Sequence, residues 1–257
     1  MLSDRRELRL PDGRMLSLSW AAISDVGLVR AVNEDSMVAR PAIFAVADGM
    51  GGHSAGDFAS QAVAKRLEEI AAPVVLEQEH IESALALATE DILRVGEFTL
   101  RGVGTTVTGM ALSTRDGEPC WMVFNIGDSR CYLATNEDPV RLTIDHSLVQ
   151  EMVDSGMISA DEAEHHPDSN VITRAVGFEL NPKPDYGYVT LVAGSRFLVC
   201  TDGLTKELAD SEIGSVLSRA LDAEEAAARL VDMALARQGR DNITAVVVDI
   251  DDIAAAE

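Results

Sequence analysis

Apolar residues along the chain follow two spacings, which divide it into strand-forming and helix-forming stretches. Short apolar runs bounded by Gly, Asp or Asn predict strands, and apolar residues three and four apart predict helices. The predicted strands cover 18–24, 36–39, 43–47, 105–113, 120–126, 130–134, 140–144, 171–176, 188–192, 196–201 and 242–250. The predicted helices cover 55–72, 80–99, 147–155, 210–221 and 223–237, with Pro73 marking the end of the first.

The order of these elements favours an α+β fold. Neighbouring strands are joined by short turns, such as the one at Asp116 and Gly117, while the helices come in pairs. The strict alternation of strand and helix that is typical of parallel sheets is absent. We therefore expect two mainly antiparallel sheets with helices outside them. A single domain over 1–257 is expected, with a core of about 16–251 between frayed ends.

Composition narrows the possible partners and the compartment. The 257 residues carry a formal net charge of −22, so nucleic acid and anionic membranes are disfavoured as partners. The three cysteines lack the paired spacing of a zinc site or a disulfide framework, and they favour a reducing compartment. The N-terminus has no apolar leader, and no apolar run approaches the roughly 20 residues that span a bilayer. We expect a soluble, cytoplasmic monomer.

Aspartates at strand ends are the strongest chemical signal in the sequence. Asp48, Asp128 and Asp202 each follow an apolar strand, and Asp241 stands just before the last one. A turn or a helix cap is the commoner explanation for any single Asp–Gly pair, but three such strand ends in one chain weaken it. Mg²⁺ and Mn²⁺ prefer oxygen ligands, so aspartates gathered from distant strands would form a site for one or two of these ions.

A second polar group lies upstream, between the first two predicted strands. Glu34 and Asp35 are adjacent acids at the mouth of a strand, where they would widen a metal site directly or through bound water. Arg30 offers a planar guanidinium that fits two phosphate oxygens. A solvated surface charge is the commoner role for an isolated arginine.

Six segments, in this order, resemble the type-2C metal-dependent protein phosphatases, the bacterial branch of the PPM family. They read SDVGLVRAVNEDS, FAVADGMGGHSAG, GVGTTVTG, FNIGDSRCYL, CTDGL and GRDNITAVVV, and the resemblance covers about 20–249. It implies a four-layer α-β-β-α sandwich with two Mn²⁺ or Mg²⁺ ions at one edge. It also implies hydrolysis of phosphoserine and phosphothreonine in proteins, with a bacterial Ser/Thr kinase and its targets as partners.

The resemblance assigns roles to individual residues. It implies that Asp48 bridges both metals, that the carbonyl of Gly49 is a ligand, and that Asp202 and Asp241 complete one metal. Glu34 corresponds to the acid near the second metal. A hydroxide bridging the two metals would attack phosphorus. We expect no covalent phosphoenzyme, because no Cys is followed five residues later by Gly and then Arg, the pattern of a cysteine-phosphatase loop.

The remaining assignments concern water, phosphate and a third ion. Asp35 corresponds to the carboxylate that organises metal-bound water, Arg30 to the phosphate-binding arginine and Asp128 to the ligand of a third, weaker metal. Lys206 stands where family members often carry an acid for that third metal, which argues against its occupancy unless Glu207 substitutes.

Two further features concern the surroundings of this site. Met50 replaces the histidine that some eukaryotic members carry after the first Asp–Gly pair, and His53 is expected to be structural. The polar segment 146–185 corresponds to the family's flap, with a role in substrate choice; an ordinary surface excursion is the alternative.

Two other functions are alternatives to the phosphatase. A non-catalytic binding module on the same fold is the main alternative, and a two-metal phosphodiesterase or nuclease is disfavoured by the negative charge. Gly51 and Gly56 have the spacing of a nucleotide-binding loop, but Asp57 replaces its essential lysine. His165 and His166 are expected to form a turn rather than a metal site.

Overall fold

The computed structural model describes residues 1–51, 55–72, 74–96, 102–136, 138–164 and 166–255. The strands are β1 Leu2–Arg9, β2 Met15–Asp25, β3 Asp35–Arg40, β4 Ile43–Met50, β5 Gly104–Thr105, β6 Val107–Arg115, β7 Glu118–Ile126, β8 Arg130–Leu133, β9 Val140–Arg141, β10 Asp185–Thr190, β11 Arg196–Cys200 and β12 Ile243–Ala254. The helices are α1 Ala55–Glu69, α2 Gln78–Gly96, α3 Leu148–Asp154, α4 Ala160–Glu164, α5 Asp202–Thr205, α6 Asp210–Arg219 and α7 Ala223–Arg237. The expectations for His53, Pro73, His165 and the predicted helix end at 97–99 lie outside the described residues.

The strands form two antiparallel sheets. Sheet I has the order β1-β2-β12-β11-β8-β9, and sheet II has the order β10-β7-β6-β4-β3, with β5 paired to β4. The centre of sheet I is the long pairing of β12 with β2, which runs from Ile243 opposite Asp25 to Ala254 opposite Met15. Sheet I therefore brings segments from both ends of the chain side by side.

Strand β4 shows why the sheets are buried on both faces. Ile43, Ala45 and Ala47 pack against α1 and α2 on the outside of sheet II. Phe44 and Val46 point the other way, into the layer between the sheets. Because successive side chains of a strand alternate between faces, a strand covered on both sides reads as a continuous apolar run. This explains why the central strands were predicted correctly.

Aromatic residues fill the layer between the sheets. The ring centroids of Trp20 in sheet I and Phe44 in sheet II are 5.4 Å apart, and those of Phe44 and Trp121 are 5.9 Å apart. Both pairs have edge-to-face geometry. Helices α5, α6 and α7 cover the outer face of sheet I with a separate apolar cluster. The α+β fold and the four-layer sandwich are confirmed.

Both expected frayed ends are strands, so this part of the prediction was wrong. Strand β1 pairs with β2 without a gap, from Leu2 opposite Ala22 to Arg9 opposite Met15. At the other end β12 continues past a register shift between Ile250 and Asp252 to Ala254. Most side chains of β1 are polar and exposed, because β1 is an edge strand, and an edge strand held by backbone pairing gives no apolar alternation in the sequence.

The segment before β10 also differs from the prediction. The strand predicted at 171–176 forms only isolated bridges, which join Ile172 to Ser147 and Val176 to both Thr105 and Glu179. Helices α4 and α5 were not predicted, since five and four residues are too short to show a helical repeat. Within the described parts of the chain, no helix combines the length and apolar character needed to cross a bilayer.

Candidate metal centre

Strand ends from both sheets bring acidic residues to one edge of the sandwich. In sheet II, Asp35 at the start of β3 lies directly opposite Asp48 near the end of β4. In sheet I, Asp202 opens α5 just after β11, and Asp241 stands just before β12. Strands β11 and β12 are hydrogen-bonded neighbours, so these two acids also lie side by side.

Asp35 is held from sheet I although it belongs to sheet II. Its Oδ2 accepts hydrogen bonds from the hydroxyls of Thr201, at 2.8 Å, and Thr244, at 2.7 Å. Its Oδ1 is buried and has no hydrogen-bond partner among the described residues. Burial raises the pKa of Asp35 to about 7, and the charges on Asp202 and Asp241 act in the same direction.

Asp48 lies at the middle of the acidic group. Its backbone N–H donates to Thr106 Oγ1 at 3.0 Å, and Thr105 Oγ1 donates to its carbonyl at 2.9 Å. Burial raises the pKa of the Asp48 carboxyl well above its ordinary value, and the nearby charges of Asp202 and Asp35 raise it further. Asp48 and Asp35 lie directly opposite each other on the paired strands β4 and β3.

Asp128 joins the same group from the loop between β7 and β8. It is 8% exposed, and burial raises its pKa to about 7, with the charges of Asp202 and Asp145 adding to the shift. The positive charge of Lys206 opposes that shift. The structure thus brings together the strand-end acids that the sequence singled out.

Gly49 allows a close approach of three backbone segments. A Cβ at this position would lie 2.0 Å from the carbonyl oxygen of Gly56 and 2.6 Å from that of Glu34. Only glycine fits such contacts without moving the backbone. The Glu34 carboxyl faces the same place, where burial raises its pKa while Arg30 opposes the shift.

Two cations of the chain itself neutralise the sheet I side of the group. The Arg30 guanidinium lies with Nε 2.8 Å from Asp241 Oδ1, and its Nη2 donates to Oδ2 at 2.9 Å. Lys206 Nζ pairs with Asp202 Oδ2 and lies 4.0 Å from Asp241 Oδ2. Among the residues that the structure describes, no group of three or more Asp, Glu, His or Cys side chains points at a common centre as a ready ligand set.

The donor set nevertheless fits a hard divalent cation. Asp202 is 8% exposed, and its Oδ1, like Oδ1 of Asp35, is buried without a hydrogen-bond partner among the described residues. Buried carboxylate oxygens without a donor are costly unless a cation or water satisfies them. All the acids at this edge offer oxygen ligands, which Mg²⁺ and Mn²⁺ prefer over softer metals.

Asn242 is a residue of this site whose role the sequence analysis missed. Its Nδ2 donates to the carbonyls of Val26, at 2.9 Å, and Val32, at 3.0 Å, and its Oδ1 accepts from Glu34 N–H at 2.8 Å. It therefore ties the loop that carries Arg30 and Glu34 to the start of β12. The sequence feature that could have identified this role is an Asn directly after the candidate ligand Asp241.

Glu207, next to Lys206, does not replace the acid that the third metal site lacks. Its Oε1 accepts from Arg240 Nε at 2.9 Å, and the residue is only 7% exposed. The Arg240 contact therefore occupies this carboxylate. The expectation that Glu207 could substitute for the missing acid is not supported by this geometry.

The segment 146–185, here called the flap, is attached to the site at two points. His146 N–H donates to the Gly127 carbonyl at 2.9 Å, and Gly127 N–H donates back to His146 Nδ1 at 3.1 Å. At the other end, Val176 and Thr105 exchange two backbone hydrogen bonds. Both anchors lie next to the acidic group. Gly127 directly precedes Asp128, and the Thr105 hydroxyl donates a hydrogen bond to the Asp48 carbonyl.

Comparison with known sequences identifies the family. The family described as protein phosphatase 2C matches residues 31–238. The serine/threonine protein phosphatase PstP of Mycobacterium tuberculosis is 39% identical over 92% of this chain but only 46% of its own length. The chain thus spans about half the length of that curated relative. The serine/threonine phosphatase stp of Listeria innocua is 33% identical over 88% of this chain and 93% of its own length.

Solved structures agree with the sequence matches. The crystal structure of M. tuberculosis PstP/Ppp superposes with a TM-score of 0.84 at 37% identity, covering 91% of this chain and 99% of that one. The catalytic domain of PstP in complex with two manganese ions gives a TM-score of 0.81 at 37% identity, covering 92% of this chain and all of that one. Sequence, fold and the acidic edge lead to one conclusion: the chain belongs to the protein phosphatase 2C family.

Proposed function

We propose that this chain is a metal-dependent protein phosphatase domain that hydrolyses phosphoserine and phosphothreonine in proteins. The observation that carries the proposal is the meeting of Asp35, Asp48, Asp128 and Asp202 from both sheets at one edge, beside Arg30. Family membership and the phosphatase names of the relatives support it.

Two Mn²⁺ or Mg²⁺ ions would be held by oxygen ligands at this edge. The residues that would hold them are Asp48, the carbonyl of Gly49, Asp202, Asp241 and Glu34, which all offer the oxygen ligands that these ions prefer. The two manganese ions of the PstP catalytic domain support this assignment. When bound, such ions supply Lewis acidity and an activated water for attack on phosphorus. Asp128 remains the candidate ligand of a third, weaker ion.

The side chains of the chain supply binding and orientation. Arg30 is half exposed, so its guanidinium can turn from Asp241 to two oxygens of a phosphoryl group and neutralise charge there. Asp35 keeps a fixed position because two threonine hydroxyls hold Oδ2, which leaves Oδ1 to orient water. No cysteine takes part as a nucleophile, since Cys120, Cys131 and Cys200 are all buried; we therefore propose hydrolysis without a covalent phosphoenzyme.

The partners follow from the same chemistry. We propose that phosphoproteins are the substrates and that the chain opposes a Ser/Thr kinase in signal transduction. The three buried free cysteines support a reducing compartment such as the cytoplasm. A monomer remains our proposal for the oligomeric state.

Phosphate release tests the proposed activity directly. With Mn²⁺ present, we expect the parent protein to release phosphate from a phosphothreonine peptide and from p-nitrophenyl phosphate. Asp202→Ala should reduce the rate by about 100-fold or more, because it removes a proposed metal ligand. Asp232→Ala, at an exposed position of α7, is the matched control and should retain full activity.

The alternatives give different results in the same assay. A parent protein that binds manganese but releases no phosphate would identify a non-catalytic binding module. Equal activity in Asp202→Ala and the parent would remove Asp202 from the metal site. Trapping a phosphorylated form of the protein during turnover would contradict direct hydrolysis.

A further inference from the structure

Lys206 lies one helical turn after Asp202, at the C-terminal end of α5. Its backbone N–H donates to the Asp202 carbonyl at 2.7 Å, which returns the side chain toward the Asp202 carboxylate. Lys206 Nζ pairs with Asp202 Oδ2 and lies 4.0 Å from Asp241 Oδ2. The ammonium therefore stands beside the two carboxylates that are proposed to complete one metal ion.

Three carboxylates surround the ammonium group of Lys206. Besides Asp202 and Asp241, the carboxylate of Asp128 acts on it, and each of the three favours the charged amine. On the backbone side Arg240 Nη2 donates to the Lys206 carbonyl at 3.3 Å, and Glu207 in turn holds Arg240. The main chain is thus fixed, while the side chain is about one-third exposed and has a long flexible stem.

We propose that Lys206 is a tethered cation that holds Asp202 and Asp241 in the metal-free chain, swings toward solvent when a divalent cation is bound, and thereby sets the affinity for metal. The inference rests on the proposed function, since it takes Asp202 and Asp241 as ligands. The Lys206 ammonium contacts Oδ2 of the Asp202 carboxylate, a group that a metal ion held by Asp202 and Asp241 would share. Two cations a few ångströms apart repel each other strongly in a partly buried site. Lys206 and the metal therefore compete.

The unpaired oxygen of Asp202 supports this competition. Asp202 is 8% exposed, and Oδ1 has no hydrogen-bond partner among the described residues, so the ammonium satisfies only one of its two oxygens. A divalent cation offers more charge to the same carboxylate. Lys206 is therefore a positioning residue whose displacement is part of metal loading.

The first experiment compares metal affinity and metal-free stability in Lys206→Met and the parent protein. Methionine keeps the length of the side chain and removes the charge. We expect Mn²⁺ to bind Lys206→Met about tenfold more tightly by calorimetric titration, because the variant removes the positive charge that repels the metal ion. In EDTA, the melting temperature of the variant should fall by a few degrees, because the acids lose their internal counter-charge. Lys65→Met, at an exposed position of α1, is the matched control and should change neither the manganese affinity nor the melting temperature.

The second experiment needs no variant. The chain has three lysines, Lys65, Lys183 and Lys206. Acetylation with and without saturating Mn²⁺, followed by peptide mass spectrometry, reports how accessible each amine is. We expect manganese to increase the labelling of Lys206 several-fold while Lys65 and Lys183 keep their rates and act as internal references.

The outcomes separate this inference from the proposed function. Unchanged manganese affinity in Lys206→Met, or Lys206 labelling that manganese leaves unchanged, would overturn the tethered-cation role and leave the phosphatase proposal standing. Binding of manganese by neither protein would overturn both. If Lys206→Met does not fold, the labelling experiment on the parent protein decides the question alone.

Discussion

The metal centre and the flap lie next to each other but are held in opposite ways. At the centre, Asp35 accepts hydrogen bonds from Thr201 and Thr244, which are 166 and 209 positions away in the chain. In the flap, the helices α3 and α4 are short, and large apolar side chains such as Met157 and Leu180 are 75% and 67% exposed. The centre is therefore positioned by both sheets, and the flap mainly by its two anchors.

This contrast predicts how stability is distributed in the molecule. Segments with few buried contacts open locally, at lower free energy than the whole protein needs to unfold. A substitution at the centre should therefore destabilise the whole fold. A substitution of an exposed flap residue should act on the flap alone.

The largest effect is expected for Asn242→Ala, which removes the tie between β12 and the loop that carries Arg30. Three backbone groups lose their partner, namely the carbonyls of Val26 and Val32 and the N–H of Glu34. Buried groups left unpaired cost about 1 to 3 kcal/mol, so the free energy of unfolding should fall by that amount. Urea unfolding measures it, and phosphatase activity should fall with the displaced Arg30.

Asn170→Ala is the matched control in the flap. Asn170 is exposed, and truncation of an exposed side chain changes stability by no more than about 0.5 kcal/mol. Equal losses of unfolding free energy in Asn242→Ala and Asn170→Ala would show that the centre and the flap are stabilised alike. That result would contradict the contrast drawn from their contacts.

A smaller, pH-dependent effect is expected at the flap anchor His146. Gly127 N–H donates to Nδ1, so the neutral ring carries its proton on Nε2, which lies 3.1 Å from Asp185 Oδ2 and 2.9 Å from Arg174 Nη1. Burial lowers the pKa of His146 below its ordinary 6.5, and the charges of Arg174 and Asp185 act in opposite directions on it. The folded protein therefore resists a proton that the unfolded chain accepts.

The sign of the pH dependence follows from that difference. Well above pH 6.5 neither state protonates this histidine, and its contribution to stability is complete, whereas at pH 6.5 the unfolded chain already carries half a proton on it. As pH falls below 6.5 the unfolded chain binds the proton first, so stability decreases until the lower folded pKa is passed. His146→Gln, which keeps an acceptor and a donor, should lose less stability than the parent between pH 7.5 and pH 5.5. Parallel losses in urea titrations would contradict this account of His146.

The sequence predicted the sandwich well for a reason that the core makes plain. In β4, both faces are covered, so Ile43, Phe44 and their neighbours read as one apolar run. Edge strand β1 gave no such signal, because its pairing with β2 is made by the backbone, whatever its side chains. In 171–176, apolar residues such as Val171 are partly exposed in the flap, so apolar character there did not indicate a strand.

The site was predicted as a set of residue types rather than as a geometry. Each aspartate at a strand end was visible locally, and the structure brings them to one edge. The pairing of Arg30 with Asp241 was not foreseeable, since it depends on side-chain distances between loops. Lys206 and Asp202 are only four residues apart, but the helix α5 that brings them together was too short to predict. Asn242 was overlooked for the same reason: its three partners lie more than 200 positions away in the chain.

The smallest effect, and the sharpest test of the contrast, is expected for Asp185→Asn at the start of β10. Asp185 pairs with Arg174 at 2.7 Å, but the two side chains are 63% and 38% exposed, so the pair contributes under about 1 kcal/mol. Global stability should hardly change. Amide hydrogen exchange in 147–175 should accelerate by up to about fivefold, the rate equivalent of that energy, while amides of β12 keep their rates. Asp161→Asn on α4 provides the matched control. Because β12 exchanges only when the sandwich opens, acceleration there as well would show that the flap and the metal centre unfold as one unit.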